Sequence, residues 1–107
     1  MLRRLKLLNC MLLELKKFGT TLSSRNDGQE AFRAIQPLLR EMAEGEELIL
    51  DFSGINTFSP SWGDEVVFGL FKKYGNKLIL KNTAANRSVQ ETLGLLAEIN
   101  GAEFNVA

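Results

Sequence analysis

Glu47-Leu48-Ile49-Leu50-Asp51-Phe52-Ser53-Gly54-Ile55-Asn56-Thr57-Phe58-Ser59-Pro60-Ser61-Trp62-Gly63-Asp64-Glu65 is the stretch on which the fold turns. Its first six residues form an apolar run too short for a helix, which predicts a buried central strand. Ser53-Gly54 ends that strand. From Ser61 the spacing becomes helical, with Val67, Leu70, Phe71 and Tyr74 on one face and Gly75 in the terminating position. A strand that passes through a short loop into a helix is the building unit of an α/β domain.

Working outward, residues 77 to 82 repeat the pattern of a short apolar strand, here bounded by lysines. Val89, Leu93, Leu96 and Ile99 then mark a helix that Asn100-Gly101 stops, and residues 103 to 106 supply a final edge strand. On the other side, Phe32, Ile35, Leu38, Leu39 and Met42 recur at helical steps after an Asn26-Asp27-Gly28 turn or cap. Pro37 lies inside this helix and is expected to kink or divide it, because it lacks the N–H and crowds the preceding turn. Residues 11 to 16 and 20 to 23 read as two extended segments joined at Lys17-Phe18-Gly19 as a hairpin, with residues 5 to 8 lengthening the first. The predicted order is β-β-α-β-α-β-α-(β): a mixed sheet with about three helices packed on it, the hairpin giving its antiparallel pair.

The chain of 107 residues, 45% hydrophobic and 24% charged, has the makeup of one globular domain. No repeat or linker divides it, so a single domain over residues 1–107 is expected, with 1–10 as a loosely attached N-terminal extension. Thirteen basic residues balance thirteen acidic ones, so composition offers no whole-domain footprint for nucleic acid or acidic lipid. Lys72, Lys73, Lys77 and Lys81 accordingly read as a solvated face. The absence of histidine removes Ser-His-Asp and Cys-His hydrolase chemistry and His-containing zinc sites. A lone Cys10 excludes an intramolecular disulfide framework and suits a reducing, cytoplasmic setting. Residues 1 to 15 open with basic residues followed by leucines, yet Lys6 and Glu14 interrupt the apolar run and no small-residue cleavage site follows. Neither an export signal nor a membrane span is expected.

Within the deciding stretch, Ser61 with Asp64 three residues on fits a helix start in which the hydroxyl accepts a backbone N–H. Asp64 and Glu65 compensate the helix dipole there. Adjacent helical residues point about 100° apart, so these two do not form a paired carboxylate site by themselves. A cluster of Asp51 with Asp64 and Glu65 has no further ligand spacing behind it, and no metal or other cofactor is expected. Trp62 is either a lid over the core or, if exposed, an anchor for a partner together with Phe58 and Pro60. Arg25 is a candidate for binding an anion or for pairing with the carboxylates. Gly69, which costs about 1 kcal/mol relative to Ala within a helix, is expected to pack closely against the sheet.

Residues 50 to 65 resemble the middle of a bacterial STAS-like family of unknown function, in which a strand ends in Asp-Phe and a short turn leads to Ser, an aromatic, a small residue and Asp-Glu. That family also tends to carry an earlier Gly, Leu, Ser and Arg, similar to Gly19, Leu22, Ser23 and Arg25, so the resemblance extends over residues 11 to 100. More distantly the segment is similar to the anti-sigma-factor antagonists among true STAS domains. On their Asp-Ser-Ser-Gly-Leu-Gly pattern, Ser61 falls at the serine phosphorylated by a partner kinase. Ser59 stands at the preceding Asp position, Pro60 replaces the first serine, and Trp62-Gly63-Asp64 replaces Gly-Leu-Gly.

The resemblance implies a non-enzymatic regulatory or protein-interaction module. It would dock through the strand-loop-helix segment 51–65 by Phe58, Ser59, Ser61, Trp62, Asp64 and Glu65, under control of phosphorylation at Ser61, with a kinase-like ATPase as partner. The alternative is a small-ligand or nucleotide sensor, or a carboxylate-based enzyme, using Asp51, Asp64, Glu65 and Arg25 at the carboxyl ends of the strands. A homodimer through the leucine-rich start or the Phe104-Val106 edge is a third expectation.

Overall fold

Leucines at alternate positions build the sheet, because successive side chains of a strand point to opposite faces. The computed structural model describes residues 5–7, 10–84 and 86–107. Strands β1 (Leu5–Leu7) and β2 (Cys10–Glu14) pair antiparallel, while β2, β4 (Glu47–Asp51), β6 (Leu78–Lys81) and β7 (Asn105–Val106) pair parallel, giving the order β1-β2-β4-β6-β7. Met11, Leu13, Leu48, Leu50, Leu78 and Leu80 all turn to one face and enter the core. Right-handed crossovers that always step the same way along a sheet leave their helices on that one face. The mixed α/β fold expected from the sequence is present.

Helix α1 (Arg25–Leu39) connects β2 to β4 and contains Pro37 without being divided by it. Proline there removes only the bond to the carbonyl four residues back, and the helix stops within its next turn. Helix α2 (Pro60–Gly63) continues through a π-helical turn at Asp64–Phe68 into α3 (Gly69–Tyr74). The joining residues Gly63, Asp64, Phe68 and Gly69 all keep right-handed helical backbone, so the three pieces form one rod. Its end is Gly75 at φ 57°. Helix α4 (Arg87–Asn100) ends at Gly101 in the left-handed conformation, as the Asn100-Gly101 signal predicts. No helix among the described residues is long and apolar enough to cross a membrane.

The expected hairpin between residues 11–16 and 20–23 is not formed. Both edges of β2 are already taken, by β1 and by β4. A 3-10 turn at Leu15–Phe18 and Gly19 at φ 118° then carry the chain away. Thr21–Leu22 (β3) instead pairs in parallel with Thr57–Phe58 (β5) as a separate two-stranded ribbon. Residues 5 to 7 are likewise a strand of their own rather than a lengthening of the next. Residues 1–4, 8 and 9 of the expected N-terminal extension lie outside the described residues.

Gly69 proves to be a helix–helix contact rather than a contact with the sheet. A Cβ placed on it would stand 2.9 Å from Cε1 of Phe32, on α1.

Candidate functional site

The ribbon β3–β5 follows the carboxyl ends of β2 and β4, the end of an open parallel sheet where ligand and partner sites usually gather. Its free edge is satisfied by the start of α4. The Asn86 side chain donates to the carbonyls of Ile55 and Asn56 and accepts the Val89 N–H, so it caps α4 while holding the loop before β5. Ser88 Oγ accepts the Phe58 N–H at 3.1 Å, and Thr92 Oγ1 donates to the Phe58 carbonyl at 2.6 Å. Buried backbone groups need such partners, and here side chains replace a neighbouring strand. Sequence reading passed over Asn86, Ser88 and Thr92. The available signal was an Asn three residues before Val89, the first residue of the apolar stripe.

With β5 fixed, the chain enters α2 through Ser59, not Ser61. The Ser59 hydroxyl accepts the Trp62 N–H at 3.3 Å and donates to the Ser23 carbonyl at 2.6 Å, while Pro60 occupies the first turn, where a missing N–H is harmless. The expected capping role of Ser61 is thereby corrected. Ser61 is half-buried one residue inside the helix, and its hydroxyl makes no hydrogen bond among the described residues. Ser59→Ala is expected to lower stability by about 1 kcal/mol, and Ser61→Ala by less than about 0.5 kcal/mol, in urea unfolding followed by far-UV circular dichroism.

Phe58 and Trp62 are each only 1% exposed. Their rings pack edge to face at 6.1 Å, with Phe18 at 6.2 Å from Trp62 and Phe52 at 5.3 Å from Phe58. Trp62 is therefore a lid over the core, and of the Phe58-Pro60-Trp62 group only Pro60 is exposed. Phe18, which the sequence reading took only as part of a turn, is the outermost ring of this aromatic chain.

Arg25 begins α1 and reaches across to the other rod, where its guanidinium donates to Asp64 at 3.1 Å and to Glu65 at 2.6 Å. These hydrogen bonds, to Glu65 first and Asp64 second, raise its already high pKa. The approach of the two helices that allows it depends on Gly28, whose missing Cβ would stand 3.1 Å from both Glu65 Cβ and Trp62 Cα. Three of the predicted site residues thus come together at the surface. Asp51 does not join them. It accepts hydrogen bonds from Asn82 at 2.8 Å and from the Ser53 N–H at 2.9 Å. Partial burial pushes its carboxyl upward, but Asn82, Ser53 and the charge of Lys81 outweigh that and hold it below the ordinary carboxylate range. Among the described residues no three acidic or thiol side chains gather as a metal site.

A cleft of about 380 Å³ opens beside the segment, between the 3-10 turn and α1, and is lined by Phe18, Thr21, Leu22, Asp27, Glu30 and Trp62, among others. Arg25, Asp51, Asp64 and Glu65 take no part in lining it. The family model described as a STAS-like domain of unknown function (DUF4325) matches residues 27–87, more than half of the chain. No curated protein and no solved structure matches the chain.

Proposed function

The chain belongs to the STAS-like domain family of unknown function, and from that membership we propose that it is a non-enzymatic interaction module that docks a protein partner through the rim of segment 51–65. One observation supports this most: two helix starts are fastened side by side at the surface, by Ser59 on Ser23 and by Arg25 on Asp64 and Glu65. The fastening presents exposed Pro60, half-exposed Ser61 and the ion cluster on a base of buried Phe58 and Trp62. A polar rim on a stiff apolar floor needs little ordering on binding, and ordering is a large part of what association costs.

The partner in this reading is a kinase-like ATPase of the kind that acts on anti-sigma-factor antagonists, met in the cytoplasm, and Ser61 is the residue it modifies. A phosphate on Ser61 would stand at a helix N-terminus, where the dipole favours negative charge, and would compete with Asp64 and Glu65 for Arg25. Phosphorylation would thus loosen the contact between α1 and α2 at the docking rim.

The test uses the full chain as bait. A partner captured by the wild type is expected to be lost with Arg25→Glu and with Ser61→Asp, both outside the core and both expected to keep the melting temperature within about 4 °C. Unchanged capture by these two folded variants would remove segment 51–65 as the docking surface.

A further inference from the structure

Helix α4 carries a glycine that no packing contact explains. Gly28, Gly63 and Gly69 each admit a close neighbour from another element, whereas a Cβ built on Gly94 meets nothing within 4 Å. A glycine inside a helix costs stability relative to alanine, and here no helix–helix approach offsets that cost. The space it leaves belongs to a cleft of about 350 Å³ between α4 and the stretch that leads into β7. Gln90, Leu93, Gly94 and Ala97, at the three- and four-residue steps of one helix face, form one wall, and Glu103 and Phe104 stand among the residues of the other. Phe104 is held edge to face by Phe71 at 5.2 Å. Thr83, two residues past the end of β6, completes the lining at the carboxyl end of a parallel strand. It is 7% exposed. Of the polar residues buried among the described ones, Glu46 accepts the Ala43 N–H and Thr92 donates to the Phe58 carbonyl, but the Thr83 hydroxyl makes no hydrogen bond among the described residues. A buried hydroxyl without a partner is costly, and one that lines a cleft is placed to bond whatever enters it.

We propose that this cleft binds a small, mainly apolar molecule with an aromatic body and one uncharged hydrogen-bonding head, a hydroxyl or an amide, that pairs with Thr83. The volume stands at the lower end of the range for small-molecule sites, about 300–1,000 Å³. Leu93, Ala97 and Phe104 give the apolar contact, and the missing side chain of Gly94 gives the room. A threonine hydroxyl both donates and accepts, so either an alcohol or an amide satisfies it. The charges exclude an acid. Glu103 is exposed and makes no ion pair among the described residues, and no Lys or Arg lines the cleft, so an anionic head would face a like charge with nothing to offset it. The cleft shares no residue with segment 51–65 or with Arg25, and the two proposals stand or fall separately.

Titration of the full chain with 3-phenyl-1-propanol, followed by amide nuclear magnetic resonance, is expected to give saturable shifts at Thr83, Gly94 and Ala97 with a dissociation constant below about 1 mM. The probe 3-phenylpropionate, the same body with a carboxylate head, should bind about fivefold more weakly or worse. Gly94→Leu places a side chain in the cleft at an open helix position, and should abolish the shifts while the melting temperature stays at or above the wild-type value. Thr83→Val should weaken the alcohol about fivefold and raise the melting temperature of the free protein by about 4 °C, because it removes a buried hydroxyl that only the ligand pairs. Thr83→Ser, which keeps the hydroxyl, should bind within about twofold of the wild type. A wild type without a saturable response, shifts that survive G94L, a carboxylate that binds as tightly as the alcohol, or a T83V variant that is less stable than the wild type would overturn the proposal. Gly94 is exposed, so G94L decides the matter even if T83V fails to fold.

Discussion

Trp62→Ala is expected to lower the unfolding free energy by about 3–5 kcal/mol, the range for removing a large aromatic from a packed core. The ring is almost fully buried and touches Phe58 and Phe18 in tilted and edge-on geometries. Aromatic pairs of this kind contribute about 0.5–1.5 kcal/mol beyond the area they bury, which supports the upper part of that range. For a domain whose whole stability is on the order of 5–15 kcal/mol, the loss takes the variant close to unfolding at physiological temperature. Urea unfolding read by far-UV circular dichroism measures it, since the variant has no other tryptophan to report fluorescence. Trp62→Phe, which keeps an aromatic in the site, should lose about half as much or less. A midpoint for W62A within experimental error of the wild type would mean that the ring is not in the core. The result also bears on function: a partner lost from W62A reports a damaged fold, so docking is tested at Arg25 and Ser61 instead.

How Trp62 comes to point inward explains which parts of the structure were legible. Helices α1 and α4 announce themselves by their apolar periods and strands β4 and β6 by short apolar runs, and Gly45, Gly75 and Gly101 at positive φ mark the turns between or after them. The start of α2 offers two serines two residues apart, and either suits a cap. Moving the cap by two residues changes the angular position of everything after it by about 200°, which exchanges the inward and outward faces. What settles the choice is tertiary: Ser59 bonds Ser23, a residue brought near only once β3 has paired with β5. The missed hairpin has the same origin. Spacing alone favours neighbours in sequence, but the edges of β2 are filled by β1 and by β4, which lies across a helical crossover. Among the site residues, the meeting of Arg25 with Asp64 and Glu65 was open to sequence reasoning as charge pairing. The separation of Asp51 was not, because it follows from which side of the sheet each group occupies.

The helical glycines make a sharper case, because the same residue type has opposite roles at two positions. Gly63 sits in α2 where a Cβ would stand 2.6 Å from Cδ1 of Leu96 and 2.8 Å from Cζ of Phe58. Both neighbours are buried, so a retreat of either side chain has to displace other residues of the core. Gly63→Val adds three carbons into that contact and is expected to cost about 3 kcal/mol, the upper end for overpacking, by driving α2 away from α4. Gly94 is the counterpart. It lies inside α4 with nothing within 4 Å of a built Cβ, so Gly94→Ala should stabilise the domain by about 0.5–1 kcal/mol through helix propensity alone. The two changes read side by side in one urea series separate packing from propensity. If G63V and G94A shifted the midpoint in the same direction, the close contact of α2 with α4 would be refuted, and with it the rigid floor under the docking rim.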